Sequence, residues 1–228
     1  MKISYLQEKD LIPSARALKQ AEEFVDNEVL IMFGDSLTDI NLTKLINFHK
    51  QKKADITVVP HWINPGYVTS IVKFNKNNKL IDFIEKPSEK EYNKLPLNKR
   101  FSGTGIYILN KKIFNEIPKN SDENISNTIA RICKKYKSFV YRLDKNDFFK
   151  DVGNMQRYLD VKEQIESGKV KLKIDETKNI KNADLYKNSM NKYHQSISFF
   201  IPAYNEEDNL EKVSNEIISF LNSAFENY

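Results

Sequence analysis

Continuous apolar runs that alternate with amphipathic segments are the feature that most constrains the fold of this chain. The run EVLIMF at 28–33 predicts a strand buried on both faces. Further strand patterns lie at 54–60, 69–74, 79–85, 100–109 and 137–142, and helical patterns lie at 15–25, 42–49, 122–136 and 155–167. The alternation predicts an α/β fold whose mainly parallel sheet carries helices on both faces.

Local signals mark where several of these elements begin and end. The turn-like cluster at 75–78 predicts that the strands on either side of it form an inserted hairpin. Asn41 or Thr38 is the candidate cap of the helix that begins near residue 42. Gly168 follows the last helical pattern and is predicted to take the position just beyond its end. His61 and Trp62 are predicted to lie in a loop.

Composition excludes several classes of protein. Hydrophobic residues make up 40% and charged residues 29% of the 228 residues, a globular balance, and no apolar run approaches the roughly 20 residues of a membrane span. The net charge of +5 comes from lysines spread along the chain, so we expect no nucleic-acid partner. The single cysteine, Cys133, excludes an internal disulfide, and the first residues lack a signal-peptide core. These observations predict a cytoplasmic protein without a membrane span.

Glycine is scarce, and no two glycines are adjacent. The chain has 6, whereas average usage would give roughly 16. Neither of the common glycine-rich phosphate-binding motifs is present in the sequence.

Two segments place a carboxylate after a strand pattern. In GDSLTDINL at 34–42, Asp35 follows the buried strand, at the edge where open α/β sheets bind ligands. In FFKDVGN at 148–154, Asp151 lies between an apolar segment and a helix. Both carboxylates are candidate Mg²⁺ ligands. Read alone, Asp35 and Asp151 also fit a structural role as helix-capping residues.

Two further segments carry candidate substrate contacts. In IDFIEKP at 81–87, Lys86 is a point charge suited to a phosphate, or one half of a solvated charge pair with Glu85. In FSGTGIYIL at 101–109, two glycines within a strand indicate close approach of a ligand or a bulge.

The order and spacing of these four segments resemble the sugar-phosphate nucleotidyltransferases, the sugar-1-phosphate uridylyl-, thymidylyl- and guanylyltransferases, from about Ile3 to Gly168. The resemblance implies a Rossmann-like nucleotidyltransferase sheet. It also implies the reaction of a sugar 1-phosphate with a nucleoside triphosphate, which yields a nucleotide sugar and pyrophosphate in nucleotide-sugar biosynthesis. Mg²⁺ is the implied cofactor.

The resemblance also implies roles for individual residues. Asp35 and Asp151 would hold Mg²⁺, and Lys86 would contact the sugar phosphate. Glu85 would contact sugar hydroxyls, and Gly105 would let the backbone approach the sugar. The implied catalytic residues are Asp35, Lys86 and Asp151, and the implied substrate-binding residues are Gly34, Glu85, Lys86, Gly105 and Tyr107.

The chain departs from the family pattern at its beginning. The family's first strand and its glycine-rich triphosphate loop have no counterpart here, and Pro13 stands where the segment near the base carries glycine. We therefore expect an N-terminally truncated, incomplete sheet with an exposed strand edge. Enzymatic activity is left open by this pattern. Either the chain needs an N-terminal segment, from another chain or through a homo-oligomer, or it is a non-catalytic remnant that binds sugar phosphate.

The tail has a resemblance of its own. SISFFIPAYNEEDNL at 196–210 resembles the opening strand of the family 2 glycosyltransferases. That resemblance implies donor-nucleotide contacts by Pro202, Ala203, Tyr204 and Glu206. We therefore predict a partial nucleotidyltransferase domain at 1–168, a linker at 169–195 and the start of a glycosyltransferase-like domain, a strand-helix appendage, at 196–228. A fragment of a bifunctional glycosyltransferase in glycan assembly is the third functional hypothesis.

Overall fold

The structure is a computed structural model that describes residues 6, 12–63, 69–173 and 197–200. Its helices are α1 (Ser14–Gln20), α2 (Leu42–Lys52), α3 (Glu89–Asn93), α4 (Ile125–Ile132) and α5 (Met155–Glu166). Its strands are β1 (Glu28–Met32), β2 (Ser36–Thr38), β3 (Ile56–Trp62), β4 (Ser70–Phe74), β5 (Leu80–Glu85), β6 (Phe101–Asn110), β7 (Ser138–Val140), β8 (Phe149–Asp151) and β9 (Ile197–Phe200).

The central sheet has five described strands in the order β7-β3-β6-β1-β9. Strand β6 is antiparallel to both of its neighbours, β1 and β3. Strand β7 is parallel to β3, and β9 is parallel to β1. Four strands therefore run in one direction and β6 opposes them, which confirms the prediction of a mainly parallel sheet.

Apolar clusters cover both faces of the sheet. Val29 and Ile31 of β1 belong to a cluster that also contains the buried apolar residues of α1 and α4. Leu30, between them, belongs to a second cluster that contains Leu45 and Ile46 of α2. Successive side chains of a strand point to opposite faces, so a continuous apolar run is buried only when both faces are covered. The predicted helices on both faces are confirmed.

The helices follow their local signals closely. Asn41 caps α2, because its side-chain oxygen accepts a hydrogen bond from the Lys44 N–H at 2.8 Å. Thr38, the other candidate cap, lies in β2 and donates to the Phe148 carbonyl instead. Gly168 takes a left-handed φ of 72° just beyond α5, as predicted. Two helices are shorter than predicted: α4 covers 125–132, and α1 ends at Gln20 and continues as a 3₁₀ turn, Ala21–Phe24.

Some elements agree with the sequence patterns and others were missed. Strands β4 and β5 form the predicted hairpin. Strands β2 and β8 pair with each other as a separate two-stranded ribbon that no pattern indicated. His61 and Trp62 lie in β3, so their predicted loop was wrong. Within the described ranges, no helix has both the length and the apolar character that a membrane crossing requires.

The tail contributes β9 to the central sheet, beside β1. The domain division at 168 and 195 stays a prediction, and residues 201–228 of the predicted appendage lie outside the described part of the chain.

Candidate functional site

The turn after β1 places Asp35 beside a second carboxylate. Strand β2 begins directly after Asp35 and pairs with β8, so that Ser36 lies opposite Asp151. The Val152 N–H donates to the Asp35 carbonyl at 2.8 Å, which fastens the turn to the end of β8. The β2–β8 ribbon therefore brings together the two predicted metal ligands from distant parts of the chain.

Gly153 is the point on which the two carboxylates converge. A Cβ atom at this position would lie 2.6 Å from Oδ2 of Asp35 and 3.1 Å from Oδ1 of Asp151. Real Cβ atoms do not come as close to an oxygen as the first of these distances. The absence of a side chain at Gly153 is therefore what lets the pair close around it.

The two carboxylates differ in their electrostatic surroundings. Partial desolvation, and then the negative charge of Asp151, raise the pKa of Asp35 above its ordinary value of 3.8. Asp151 is held by two donors. The Gly153 N–H donates to its Oδ1 at 2.8 Å, and Nη1 of Arg157 donates to its Oδ2 at 2.6 Å.

Arg157 is a residue of this site that the sequence patterns did not single out. It lies in the first turn of α5, six residues after Asp151. The signal was present in the sequence as a basic residue at the start of the helix that follows the candidate carboxylate. Arg157 can be assigned to the site only once the structure shows that the turn from β8 into α5 brings it back to Asp151.

The chemistry of this donor set fits a hard divalent cation. Carboxylate oxygens are the ligands that Mg²⁺ prefers, and Mg²⁺ sites commonly combine one or two carboxylates with phosphate oxygens and water. Among the residues that the structure describes, no group of three or more His, Cys, Asp and Glu side chains could hold a metal. A cation held by the Asp35–Asp151 pair would have ligand positions left for water or other oxygen donors.

Glu85 and Lys86 lie at the end of the hairpin. Glu85 is the last residue of β5, and Lys86 takes a left-handed φ of 47° that turns the chain away from the strand. The Lys86 N–H donates to the Thr69 carbonyl at 2.8 Å, and its side chain is exposed. Burial raises the pKa of Glu85, while a hydrogen bond from Ser126 and the charge of Lys86 act in the opposite direction.

The first half of β6 contacts the segment that carries Asp35. The Ser36 hydroxyl donates to the Thr104 carbonyl at 3.1 Å. Gly105 has a φ of 78°, and a Cβ there would lie 3.1 Å from the ring of Phe33. Gly105 is therefore constrained twice, by its backbone conformation and by the close approach of Phe33.

A cluster of hydroxyl groups connects the same part of β6 to the hairpin. The Ser102 hydroxyl lies 3.0 Å from the hydroxyls of both Thr69 and Ser70. The Gly103 N–H donates to the Ser70 hydroxyl at 2.9 Å. Because Thr69 also holds the Lys86 backbone, residues 102–105 lie between the carboxylate pair and the Glu85–Lys86 turn. No pattern in the sequence had indicated this cluster.

The remaining predicted residues differ in their surroundings. Tyr107 is buried at 3% exposure, and its ring meets the Phe33 ring edge-on at 6.3 Å. Its pKa is raised, chiefly by burial and then by the charge of Glu85. Gly34 is exposed in the turn before Asp35. The predicted donor-nucleotide residues of the tail lie outside the described residues: Pro202, Ala203, Tyr204 and Glu206.

Comparison with known proteins finds nucleotidyltransferases. The family model described as nucleotidyl transferase matches residues 1–168. The chain is 30% identical over 175 residues to the glucose-1-phosphate adenylyltransferase of Mycoplasma mobile, which covers 72% of this chain and 40% of that protein. It is 28% identical over 158 residues to the D-glycero-α-D-manno-heptose 1-phosphate guanylyltransferase of Campylobacter jejuni. That alignment covers 69% of this chain and 65% of that protein. The chain thus spans less than two thirds of both relatives.

A solved structure shares the fold. The structure of a UDP-glucose pyrophosphorylase complexed with UDP-glucose superposes with a TM-score of 0.60 at 16% sequence identity, covering 72% of this chain and 66% of that one.

Proposed function

Because the chain belongs to the nucleotidyl transferase family, as its motifs predicted, we propose that it acts in nucleotide-sugar biosynthesis. In the proposed reaction, a phosphate oxygen of a sugar 1-phosphate attacks the α-phosphorus of a nucleoside triphosphate. The new P–O bond forms as the bond to the β-phosphate oxygen breaks, and pyrophosphate leaves with that electron pair. The observation that carries this proposal is the convergence of Asp35 and Asp151 on Gly153.

In this proposal Asp35 and Asp151 hold Mg²⁺. The bound cation would neutralise negative charge on the phosphate oxygens that meet in the reaction. The pKa of Asp35 is raised first by partial desolvation and then by the charge of Asp151, and a nearby cation would relieve the second of these effects. Nucleotidyl transfer needs alignment and charge neutralisation, with little covalent participation by the protein.

The other residues of the site bind the sugar phosphate. Lys86 presents an exposed ammonium group at a fixed turn and contacts the phosphate. Glu85 accepts hydrogen bonds from sugar hydroxyls. Gly105 lets the sugar approach the backbone, and Gly34 lines the turn that leads to Asp35. Tyr107 supports the site through the packing of its ring against the ring of Phe33.

Two alternatives remain as hypotheses. The ion pair between Arg157 and Asp151 favours a protein that binds sugar phosphate without transferring a nucleotide, because the guanidinium group already neutralises one carboxylate. The fragment of a bifunctional glycosyltransferase rests on tail residues outside the described part. For the main proposal we place the protein in the cytoplasm, where its substrates are available.

The test combines calorimetry with an assay for released pyrophosphate. We expect the chain to bind a sugar 1-phosphate more tightly with Mg²⁺ than without it, and to release pyrophosphate from a nucleoside triphosphate only slowly, because the sequence has no counterpart of the family's glycine-rich triphosphate loop. Asp35→Asn and Asp151→Asn should each reduce the Mg²⁺-dependent binding at least about tenfold, because each removes a negative ligand. Asp160→Asn is the matched control, since Asp160 is an exposed carboxylate of α5 that contacts Gln156.

The outcomes separate the hypotheses. Binding with pyrophosphate release supports the transferase, and binding without release favours the sugar-phosphate-binding alternative. If Asp35→Asn and Asp151→Asn behave like Asp160→Asn, the metal assignment is wrong.

A further inference from the structure

The first turn of α5 places a positive charge against the carboxylate pair. The backbone there is fixed, because the Arg157 N–H donates to the side-chain oxygen of Asn154 at 3.0 Å. The same turn contains no acidic residue. A positive charge at the N-terminus of a helix opposes the helix dipole, so Arg157 does not stabilise the start of α5. Its position is better explained by the carboxylates that it faces.

The guanidinium group of Arg157 is one of two donors to Asp151, and the two differ in mobility. The Gly153 N–H, which donates to Oδ1 at 2.8 Å, belongs to the backbone. Nη1 of Arg157, which donates to Oδ2 at 2.6 Å, belongs to a long side chain that is 40% exposed. Ion pairs with this much exposure are weak, so Arg157 can leave Asp151 at little cost.

Arg157 and a divalent cation would compete for the same negative charge. Desolvation and the charge of Asp151 raise the pKa of Asp35, whereas its own backbone N–H and the charge of Arg157 lower it. The charge of Arg157 therefore acts on both carboxylates of the pair. Two positive groups on one carboxylate repel each other, and a guanidinium group cannot become neutral by losing its proton. A cation bound by the pair would therefore weaken the attachment of Arg157.

An anion suits the position that Arg157 would then take. With a cation on the carboxylates, three positive groups lie near one another: the cation, the guanidinium group and the N-terminal end of the α5 dipole. Together they attract a negative ligand. The planar guanidinium group pairs well with phosphate oxygens through its parallel N–H donors, and both substrates of the proposed reaction carry phosphate.

We propose that Arg157 is an exchangeable counter-ion, which neutralises Asp151 when no cation is bound and contacts a phosphate oxygen of the substrate after a divalent cation binds. This inference rests on the metal assignment proposed above and adds a substrate-binding residue to it. It implies that phosphate strengthens cation binding, because phosphate stabilises the displaced guanidinium group. By reciprocity, the cation strengthens phosphate binding by the same factor.

Mn²⁺ titrations followed by electron paramagnetic resonance, with and without inorganic phosphate, test this role. Arg157→Gln removes the competing charge, so we expect it to raise the phosphate-free Mn²⁺ affinity at least about threefold. The same variant should lose most of the increase in Mn²⁺ affinity that phosphate causes in the unaltered protein. Protein-free solutions correct for Mn²⁺ bound by phosphate alone.

Two further variants serve as controls. Lys162→Gln removes a positive charge from the same helix, where Lys162 pairs with Glu166 at 3.8 Å, and should leave both Mn²⁺ affinities unchanged. Arg157→Lys retains the charge and should bind phosphate-free Mn²⁺ more like the unaltered protein than Arg157→Gln does. A gain in affinity also separates the proposed role from damage to the site, because a misfolded variant would bind Mn²⁺ less tightly.

Unchanged or weaker phosphate-free Mn²⁺ binding by Arg157→Gln overturns the proposal, as does an undiminished effect of phosphate in that variant. Asp151→Asn separates this inference from the metal assignment. If Asp151→Asn keeps the full Mn²⁺ affinity, the metal assignment fails and the role of Arg157 fails with it. If Asp151→Asn loses Mn²⁺ while Arg157→Gln behaves like Lys162→Gln, only the role of Arg157 is wrong.

Discussion

At the scale of single residues, the candidate site depends on an atom that is absent. Asp35 and Asp151 approach each other because Gly153 has no Cβ to keep them apart. Arg157 adds a positive charge at 2.6 Å from Asp151, so the pair is only partly repulsive in this arrangement. Partial desolvation, and then the remaining repulsion from Asp151, raise the pKa of Asp35. In the function proposed above, a divalent cation held by both carboxylates would relieve the repulsion that Arg157 leaves.

Gly153→Ala is therefore expected to weaken divalent cation binding at least about tenfold, because the new Cβ must displace the Asp35 carboxylate. Mn²⁺ binding followed by electron paramagnetic resonance measures this directly. Gly168→Ala is the matched control. Its φ of 72° makes alanine strained there, but no atom beyond its two neighbouring residues lies within 4 Å of the new Cβ, so stability falls while Mn²⁺ binding stays the same. Equal Mn²⁺ affinity in both variants would contradict the geometric role of Gly153.

At the scale of elements, short pieces of structure position the charged residues. The β2–β8 ribbon joins Asp35 to Asp151, and the β4–β5 hairpin carries Glu85 and Lys86. Helix α2 follows β2 closely and begins at Leu42, directly after its capping residue, Asn41. The Asn41 cap defines where α2 starts. The start of α2 in turn sets the direction in which the chain leaves the β2–β8 ribbon. Helix initiation and site geometry are thus connected within a few residues.

Asn41→Ala should lower the free energy of unfolding by about 1 kcal/mol, because the Lys44 N–H loses its acceptor. Asn41→Ser retains a capping oxygen and should lose only a small part of that stability. Urea denaturation of the two variants measures the difference. Equal losses for alanine and serine would show that the hydrogen bond to Lys44 is not what stabilises the start of α2.

At the scale of the whole molecule, packing of α2 on the central sheet buries a histidine, His49. His49 of α2 is 0% exposed, its Nδ1 lies 2.7 Å from the Thr57 hydroxyl of β3, and its Nε2 lies 3.5 Å from Glu28 of β1. Burial lowers the pKa of His49 from 6.5 to about 4. The charged imidazolium form of His49 is therefore stable in the unfolded chain and disfavoured in the folded protein.

This lowered pKa predicts a loss of stability in mild acid. Well above pH 6.5 His49 is neutral in both states, and as the pH falls from there toward 4 the unfolded chain gains a proton before the folded one, which favours unfolding. The contribution of His49 should reach about 2 kcal/mol between pH 7 and pH 5. Urea unfolding at several pH values measures the slope, and His49→Gln should flatten it. The same slope in both proteins would exclude His49 as its source.

The sequence by itself determined the α/β class, the hairpin and the four segments that carry the candidate site, and it narrowed the cap of α2 to Asn41 or Thr38. These follow from local causes: side-chain periodicity, turn residues and capping groups act within a few residues. Only the tertiary structure decided that Asp35 meets Asp151, that Arg157 neutralises it, and that β9 lies beside β1. Each depends on register between segments far apart in the chain, because backbone pairing and the burial of both sheet faces select partners that no local pattern specifies.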